Sequence, residues 1–291
     1  MNSPKVGIAV NCFNHEPFIN DCVKSILKQT YKNYEVIFYD SNSTDRSREL
    51  LYEYTKYYKN FKLDKPIGSG ILPIGVARFN AVQPFMYDNS IKYIAIMDAD
   101  DTWRPDKLKL QVKVLEKYRD TKICFSDCFY LHWGMGINQV EDYPVFIEGE
   151  VYNKVRGNFH HKYPVIYGDD PFLSVLSKYN FMPCPTLIFE KEAFKECIKH
   201  PSHYTSAEDY DWILRILSKY NKFTNVALPL AYYRIHSKQL TQKTPARCTM
   251  EEIDVVKNAM NYRVLTNKER GKVYRHLVWL YMKLLYKEVA K

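Results

Sequence analysis

Three carboxylates stand together at the end of an apolar segment, at Asp98, Asp100 and Asp101. The preceding residues, 94–97, are typical of a buried strand. Like charges this close repel one another, and a divalent cation with a phosphate ligand is the commonest reason to keep them. Hard oxygen ligands favour Mg²⁺ or Mn²⁺. One aspartate would be enough to cap the helix predicted from Pro105, so the cluster indicates a metal site.

A second acidic pair, Glu208 and Asp209, opens a predicted helix at 207–220. The simplest explanation for an isolated pair is its favourable interaction with the helix dipole. The helix N-terminus would keep Asp209 ionised, and the charge of Glu208 would oppose excessive stabilisation of that charge. Asp211 points toward another side of the helix.

Arg234 and His236 alternate with Tyr233 and Ile235, so both face the same side of a predicted strand. A lone histidine is more often structural than functional. Beside an acidic cluster, His236 could instead ligate a metal or contact a diphosphate. Arg234 could stabilise negative charge that develops on a leaving phosphate.

Strands alternate with helices along the first 131 residues. Apolar segments predict strands at 6–11, 34–39, 61–63, 92–97 and 122–131, and amphipathic segments predict helices at 16–29, 75–88 and 105–118. This alternation implies parallel βαβ units, and therefore an α/β fold with a mostly parallel central sheet flanked by helices. Ligands collect at the carboxyl ends of such strands. We therefore expect Asn11 and Asp40, which end two strands, to lie near Asp98.

The remainder of the chain has a weaker pattern. Residues 132–180 are rich in aromatic residues and predict irregular loops with one short helix near 171–178. Further elements are predicted as strands at 186–189 and 231–235 and as a helix at 191–198. From about residue 250 the chain is basic and helical to its end.

Composition indicates a globular protein with a large core. The 291 residues are 46% hydrophobic and 26% charged, and the net charge is +9. An excess of basic over acidic residues favours anionic partners such as phosphorylated small molecules, acidic lipids or nucleic acid. No apolar segment is long enough to span a bilayer, and residues 6–10 are too short for a signal peptide. The seven cysteines are scattered without a CxxC pair, so we expect reduced thiols and a cytoplasmic location.

Several segments resemble, in order and at sensible spacing, the motifs of family 2 glycosyltransferases, which have the Rossmann-like GT-A fold. The opening motif comprises 6–14, 18–19 and 25–30, and five further motifs lie at 35–45, 75–80, 97–108, 207–212 and 233–236. Together they cover roughly residues 5–240, and six motifs in sequence are far more specific than any one alone. Two departures stand out: Ser41 replaces the usual second acidic residue after the second strand, and Phe79 separates Arg78 from Asn80.

The resemblance implies that three residues bind the nucleotide part of a donor substrate. Asp40 would contact the base, since a carboxylate can accept the imide N–H group of uracil. Asn11 and Arg78 would lie near the nucleotide. Without the resemblance, Asp40 is equally explained as a residue that caps a turn and Arg78 as a solvated helix charge.

The resemblance also implies a metal site and a base. Asp98 would face the ribose, Asp100 would ligate the metal, and Asp101 stays a candidate ligand because the register is uncertain by one residue. His236 is a further candidate ligand. Asp209 would be the general base.

The implied function is that of an inverting glycosyltransferase. It would move a sugar from a nucleoside diphosphate donor to a hydroxyl group of a glycan or a lipid-linked saccharide. The expected donor nucleotide is UDP, and the expected cofactor is Mn²⁺ or Mg²⁺. The alternative is a non-catalytic nucleotide-sugar or glycan-binding module on the same scaffold. A nucleic-acid binder is not expected, because no stacking or groove-binding motif accompanies the positive charge.

The predicted domain organisation has a GT-A catalytic domain at 1–240 and a basic helical C-terminal extension at 241–291. Within the first, residues 1–131 would bind the nucleotide-sugar, and residues 132–240 would bind the acceptor and carry out catalysis. The extension is explained either by a helix packed on the catalytic domain with a solvated basic face or by a helix that contacts the anionic inner face of the membrane. The oligomeric state is open.

Overall fold

The computed structural model of the chain describes residues 3–66, 70, 72–132 and 170–289. Its strands are β1 (Lys5–Cys12), β2 (Tyr34–Asp40), β3 (Phe61–Asp64), β4 (Ile91–Asp98), β5 (Thr102–Trp103), β6 (Ile123–His132), β7 (Ile188–Glu190) and β8 (Thr224–Ile235). Its helices are α1 (Ile19–Leu27), α2 (Ser47–Tyr57), α3 (Ile74–Tyr87), α4 (Lys107–Lys117), α5 (Pro171–Leu176), α6 (Lys191–Cys197), α7 (Glu208–Tyr220), α8 (Leu240–Lys243), α9 (Pro245–Ala259) and α10 (Asn267–Val289).

In these described ranges the strands form one sheet in the order β3-β2-β1-β4-β7-β6-β8-β5. Strand β1 pairs in parallel with β2 and β4, β2 with β3, and β6 with β8. Antiparallel pairs join β7 to β4 and β6, and β5 to β8. The expectation of an α/β fold with a mostly parallel sheet is confirmed.

Strands β1 and β2 are buried along almost their whole length because helices cover both faces of the sheet. Val6, Ile8 and Val10 of β1 pack in one apolar cluster, together with residues of α1, α2 and α4. Ala9 points the other way into a second cluster, which α3, α7, α9 and α10 complete. The alternation of β1 therefore places one helical layer on each face.

One strand begins earlier than the sequence predicts. Strand β8 begins at Thr224, several residues before the predicted start at 231. The sequence pattern misses this start because the first half of the strand is only partly buried and contains Pro229, which obscures the alternation of apolar and polar residues. The basic tail, which is predicted to be helical, forms two helices, α9 and α10. The first begins with Pro245, a residue suited to the first turn of a helix, and ends at Ala259.

The irregular segment predicted at 132–180 lies largely outside the described residues. Within the described part, α5 forms at Pro171–Leu176, where Asp170 accepts a hydrogen bond from the backbone N–H of Leu173 (3.0 Å) and caps the helix. This agrees with the short helix predicted near 171–178.

The C-terminal helices share their core with the sheet. Ile253 and Val256 of α9 and Leu277 of α10 belong to the same apolar cluster as Ile94 and Ile96 of β4. The domain boundary placed at residue 240 remains a prediction. Among the described residues, no helix is both long enough and apolar enough to cross a bilayer.

Candidate active site

The carboxyl ends of three neighbouring strands meet at one edge of the sheet. Asn11 of β1 lies in register with Asp98 of β4, and Cys12 lies in register with Asp40 of β2. This is the convergence that the alternation of strands and helices predicts. The candidate residues from the first hundred positions are therefore brought together by the parallel pairing of β1 with its two neighbours.

Asp40 is fully buried and closes the loop that follows β2. Its Oδ2 lies 3.6 Å from the guanidinium of Arg48 and 3.3 Å from the backbone nitrogen of Ser43. On the β1 side, the hydroxyl of Ser41 donates to Oδ1 of Asn11 at 3.4 Å. These contacts fix the position of Asp40; its contact with a nucleobase remains a prediction.

Asn80, the residue displaced by the inserted Phe79, contacts the strand next to this loop. Its side-chain amide donates to the hydroxyl of Tyr39 at 2.9 Å. Phe79 itself is buried in the apolar cluster beneath α3. The additional residue, Phe79, thus packs in the core, and Asn80 contacts the end of β2 through Tyr39.

Arg78 connects the acidic cluster to the acidic pair of α7. Its Nη2 donates to both carboxylate oxygens of Asp98 (2.6 and 2.8 Å), and its Nη1 donates to Glu208. The side chain is only 3% exposed. Burial alone would lower the pKa of Arg78, but Asp98 and the other acidic neighbours hold it well above its usual value. The guanidinium therefore stays charged and ties the end of β4 to the start of α7.

This ion-pair chain was not foreseen from the sequence. Arg78 and Glu208 are 130 positions apart, and a contact over that separation leaves no periodic signal. Because Arg78 is buried and engaged by two carboxylates, the geometry supports a role in positioning. Its expected proximity to the nucleotide, like that of Asn11, remains a prediction.

Asp209 lies in the first turn of α7 and is partly exposed. Its Oδ1 accepts a hydrogen bond from the backbone N–H of Tyr210 at 2.7 Å. Burial and the adjacent charge of Glu208 raise the pKa of Asp209 to about 7, against the opposing effect of Arg78. Burial also raises the pKa of Glu208 itself. A carboxylate with a pKa near neutrality is suited to accept a proton.

The loop before α7 is held from two sides. Glu251 of α9 accepts hydrogen bonds from the backbone nitrogens of Thr205 and Ser206, both at 2.8 Å. On the other side, the backbone N–H of Gly75 donates to the carbonyl of Tyr204 at 3.0 Å. A Cβ atom at Gly75 would lie 2.7 Å from that same carbonyl oxygen, so only glycine permits the approach.

Asp211 lies apart from this acidic group, as its place on the helix predicts. Its two oxygens accept hydrogen bonds from the hydroxyl of Tyr262 (2.5 Å) and from Nε of Arg215 (2.9 Å). It therefore anchors α7 to the segment between α9 and α10 rather than facing the acidic cluster.

Asp100 lies between two imidazoles. Nε2 of His236 is 3.0 Å from its Oδ2, and Nε2 of His15 is 3.7 Å from the same oxygen. Burial by itself raises the pKa of Asp100, but the two histidines lower it below its usual value. Sequence analysis did not single out His15. The signal available in the sequence was its place in the loop that follows the first predicted strand.

Arg234 lies beneath the acidic cluster and is 1% exposed. Its backbone N–H donates to Oδ1 of Asp101 (2.8 Å), and its Nε donates to the carbonyl of Asp100 (2.7 Å). The guanidinium pairs with Asp21 (3.1 Å) and lies over the ring of Phe18 (4.8 Å). These contacts fix the Asp100–Asp101 backbone; contact between Arg234 and a diphosphate remains a prediction.

The donor atoms at this edge suit a divalent metal. Ligand atoms of His15, Asp100 and His236 lie within 4.8 Å of one another, as do those of Asp98, Asp100 and Asp101. Asp100 alone belongs to both of these groups. Among the described residues, Oδ2 of Asp101 is buried without a hydrogen-bond partner. Burial, Asp100 and Asp98 raise the pKa of Asp101 well above its usual value, against the opposing effect of Arg234.

The chain is similar in sequence to proteins named as glycosyltransferases. Residues 8–128 match the family model described as glycosyl transferase family 2. The chain is 28% identical over 236 residues to the UDP-Glc:alpha-D-GlcNAc-diphosphoundecaprenol beta-1,3-glucosyltransferase of Escherichia coli. The aligned region covers 80% of this chain and 78% of that protein. It is 24% identical over 243 residues to an uncharacterized glycosyltransferase of Methanocaldococcus jannaschii, over 82% of this chain and 73% of that protein.

Solved structures share its architecture. S. aureus TarS (residues 1–349) in complex with UDP-GlcNAc superposes with a TM-score of 0.65 at 16% identity, over 94% of this chain and 71% of that chain. The mannosyltransferase PcManGT of Pyrobaculum calidifontis, in complex with GDP-Man and Mn²⁺, superposes with a TM-score of 0.62 at 15% identity, over 96% and 70% of the two chains. At such low identity these matches establish the fold.

The fold expected from the sequence motifs is thus confirmed by the superpositions, and the enzyme class by the family match and the named relatives. Residues 8–128 match glycosyl transferase family 2, and the protein is a glycosyltransferase with the GT-A fold.

Proposed function

We propose that the protein is an inverting glycosyltransferase in which Asp209 is the general base. The observation that carries this proposal is the position of Asp209 beside the Glu208–Arg78–Asp98 ion-pair chain, which joins the start of α7 to the carboxyl end of β4. The base is thereby held next to the acidic cluster, and its raised pKa of about 7 suits proton transfer near neutral pH.

In the proposed reaction, the hydroxyl oxygen of the acceptor attacks the anomeric carbon from the face opposite the diphosphate. The new C–O bond forms as the bond from that carbon to the diphosphate oxygen breaks. The hydroxyl proton passes to Asp209, and the nucleoside diphosphate leaves with the bonding electron pair. A single displacement of this kind inverts the anomeric configuration.

Asp100, His236 and His15 would hold a divalent metal, with Asp101 as a further candidate ligand. When bound, such an ion supplies positive charge to the oxygens of the leaving diphosphate. Arg234 and Asp21 keep the Asp100 backbone in place through the contacts described above. The mixed imidazole and carboxylate donors favour Mn²⁺ over Mg²⁺, since imidazole nitrogen is a poor ligand for Mg²⁺.

We propose a UDP-sugar as donor and a glycan or lipid-linked saccharide as acceptor. The carboxylate of Asp40 at the end of β2 is suited to accept the imide N–H of uracil. The E. coli relative is named for a UDP-Glc donor and a diphosphoundecaprenol-linked acceptor, and the structural match to TarS includes a complex with UDP-GlcNAc. A cytoplasmic site of action fits the seven free cysteines.

The test is a donor screen that scores nucleoside diphosphate release with Mn²⁺, followed by NMR of the product. The proposal predicts turnover of a UDP-sugar and a product whose anomeric configuration is opposite to that of the donor. Retention of configuration would contradict the single displacement. A well-folded protein that binds UDP but releases none above a metal-free control, across the donors and acceptors tested, would favour a binding module.

A further inference from the structure

The exposed side of α10 is apolar over about three turns. Large apolar or aromatic side chains project into solvent there, each between 42% and 76% exposed: Tyr274, Val278, Trp279, Tyr281, Met282, Leu285 and Tyr286. We call this set the α10 face. A helix on the surface of a soluble protein normally carries polar and charged side chains on its outer side. An apolar surface of this extent marks a site of interaction.

The orientation of α10 is fixed by its other side. Val273, Leu277 and Leu280 are buried in the apolar cluster that extends from the sheet. Lys283, at the edge of the helix, forms a 2.7 Å ion pair with Glu252 of α9. The helix therefore cannot bury its outer residues by rotating without exposing these inner ones.

Positive charge surrounds the aromatic rings of the α10 face. The ammonium group of Lys257 lies 5.2 Å from the ring centre of Tyr281, and that of Lys283 lies 5.3 Å from the ring centre of Trp279. Arg275 is exposed on the same side of the helix, and the whole chain carries a net charge of +9. Tryptophan and tyrosine rings next to lysine and arginine are typical of helices that lie in the headgroup region of a bilayer.

We propose that the α10 face docks on an anionic membrane surface. Its apolar side chains enter the headgroup region while Lys257 and Arg275 contact lipid phosphates. A second copy of the chain is a poorer partner, because a twofold interface through this face would set its positive charges against one another. The proposal rests on α10 and the neighbouring Lys257 of α9, and it is independent of the reaction assigned to Asp209.

The experiment compares cosedimentation of the whole chain with vesicles of phosphatidylcholine alone and with vesicles that also contain phosphatidylglycerol. We expect the chain to bind the anionic vesicles. Salt should weaken this binding, because it screens the attraction between the basic side chains and the lipid phosphates. The variant Val278→Ser/Met282→Gln/Leu285→Ser should reduce the partition coefficient for anionic vesicles by about tenfold or more. All three side chains are exposed, so the unfolding temperature of this variant should change little.

The matched control is Tyr57→Ser/Leu228→Ser, which removes exposed apolar side chains on other parts of the surface and should bind vesicles as the unaltered chain does. The proposal is overturned if the unaltered chain stays in solution with anionic vesicles, or binds neutral vesicles equally well. It is also overturned if light scattering shows a dimer that the triple variant converts to a monomer, since the face would then join two copies.

Discussion

Nε2 of His236 lies 3.0 Å from Oδ2 of Asp100, although 136 positions of sequence separate the two residues. The carboxyl end of β4 and the end of β8 converge at this point, and His15 approaches the same oxygen from the loop after β1. Three separate segments thus surround one carboxylate. In the proposed enzyme this is where the metal and the donor diphosphate meet.

The first prediction concerns the imidazole ligands. His15→Ala and His236→Ala should each weaken Mn²⁺ binding in the presence of UDP by about tenfold or more, because each removes a nitrogen donor beside Asp100. Mn²⁺ binding is measured directly by electron paramagnetic resonance, independently of turnover. His203→Ala is the control, since that side chain is 79% exposed in the loop before α7, and its Mn²⁺ affinity should stay unchanged. If His15→Ala binds Mn²⁺ as tightly as the unaltered chain, His15 is not a ligand.

The second prediction concerns pH. Because Asp209 must be ionised to accept a proton, kcat/KM should fall as the pH drops through the raised pKa of about 7. Glu208→Gln removes a negative charge that raises this pKa, so the acid limb of the profile should move to lower pH. An acid limb that stays in place, or moves to higher pH, would show that Glu208 does not tune the base. A simple loss of folding would lower the rate without shifting the profile.

The third prediction concerns stability. Lys107 is fully buried, and its Nζ has no hydrogen-bond partner among the described residues, although it lies 4.2 Å from the ring centre of Trp103. Burial lowers its pKa from 10.5 to about 7. Between pH 7 and pH 10.5, Lys107 is protonated in the unfolded chain and neutral in the folded chain. The free energy of unfolding therefore rises with pH across this interval.

Lys107→Met should therefore stabilise the fold by about 1–3 kcal/mol at neutral pH, because it removes the cost of burying an amine. The gain should be largest below pH 7 and should vanish as the pH approaches 10.5. Urea denaturation at several pH values measures it. A variant less stable than the unaltered chain at pH 6 would indicate that the interaction with Trp103 outweighs desolvation.

The fourth prediction concerns the support of the base. Gly75→Ala should lower kcat, since the new methyl group would lie 2.5 Å from the carbonyl oxygen of Ser202 and would displace the loop that leads to Asp209. Gly271→Ala in α10, where nothing lies within 4 Å of the new atom, is the matched control and should leave kcat unchanged. Equal kcat values for the two variants and the unaltered chain would show that the contact at Gly75 does not position the base.

The sequence indicated which residue types gather at the sheet edge, because strand ends in parallel βαβ units converge and the acidic cluster directly follows an apolar strand. It could not reveal how they pair. The bond between Arg78 and Glu208 depends on the approach of α3 to α7, which no local pattern encodes. The early start of β8 was missed for a related reason, since a half-exposed strand that contains Pro229 lacks a clean alternation.

Asp209 is the residue on which the proposed mechanism depends most directly. In Asp209→Asn, the amide fills nearly the same space but cannot accept the proton, so kcat for transfer should fall roughly 10²–10⁴-fold. Binding of UDP, measured by calorimetry in the same preparation, should be retained, because the side chain is not assigned to the donor. Normal transfer by Asp209→Asn would contradict the assignment of the base and, with it, the proposed mechanism.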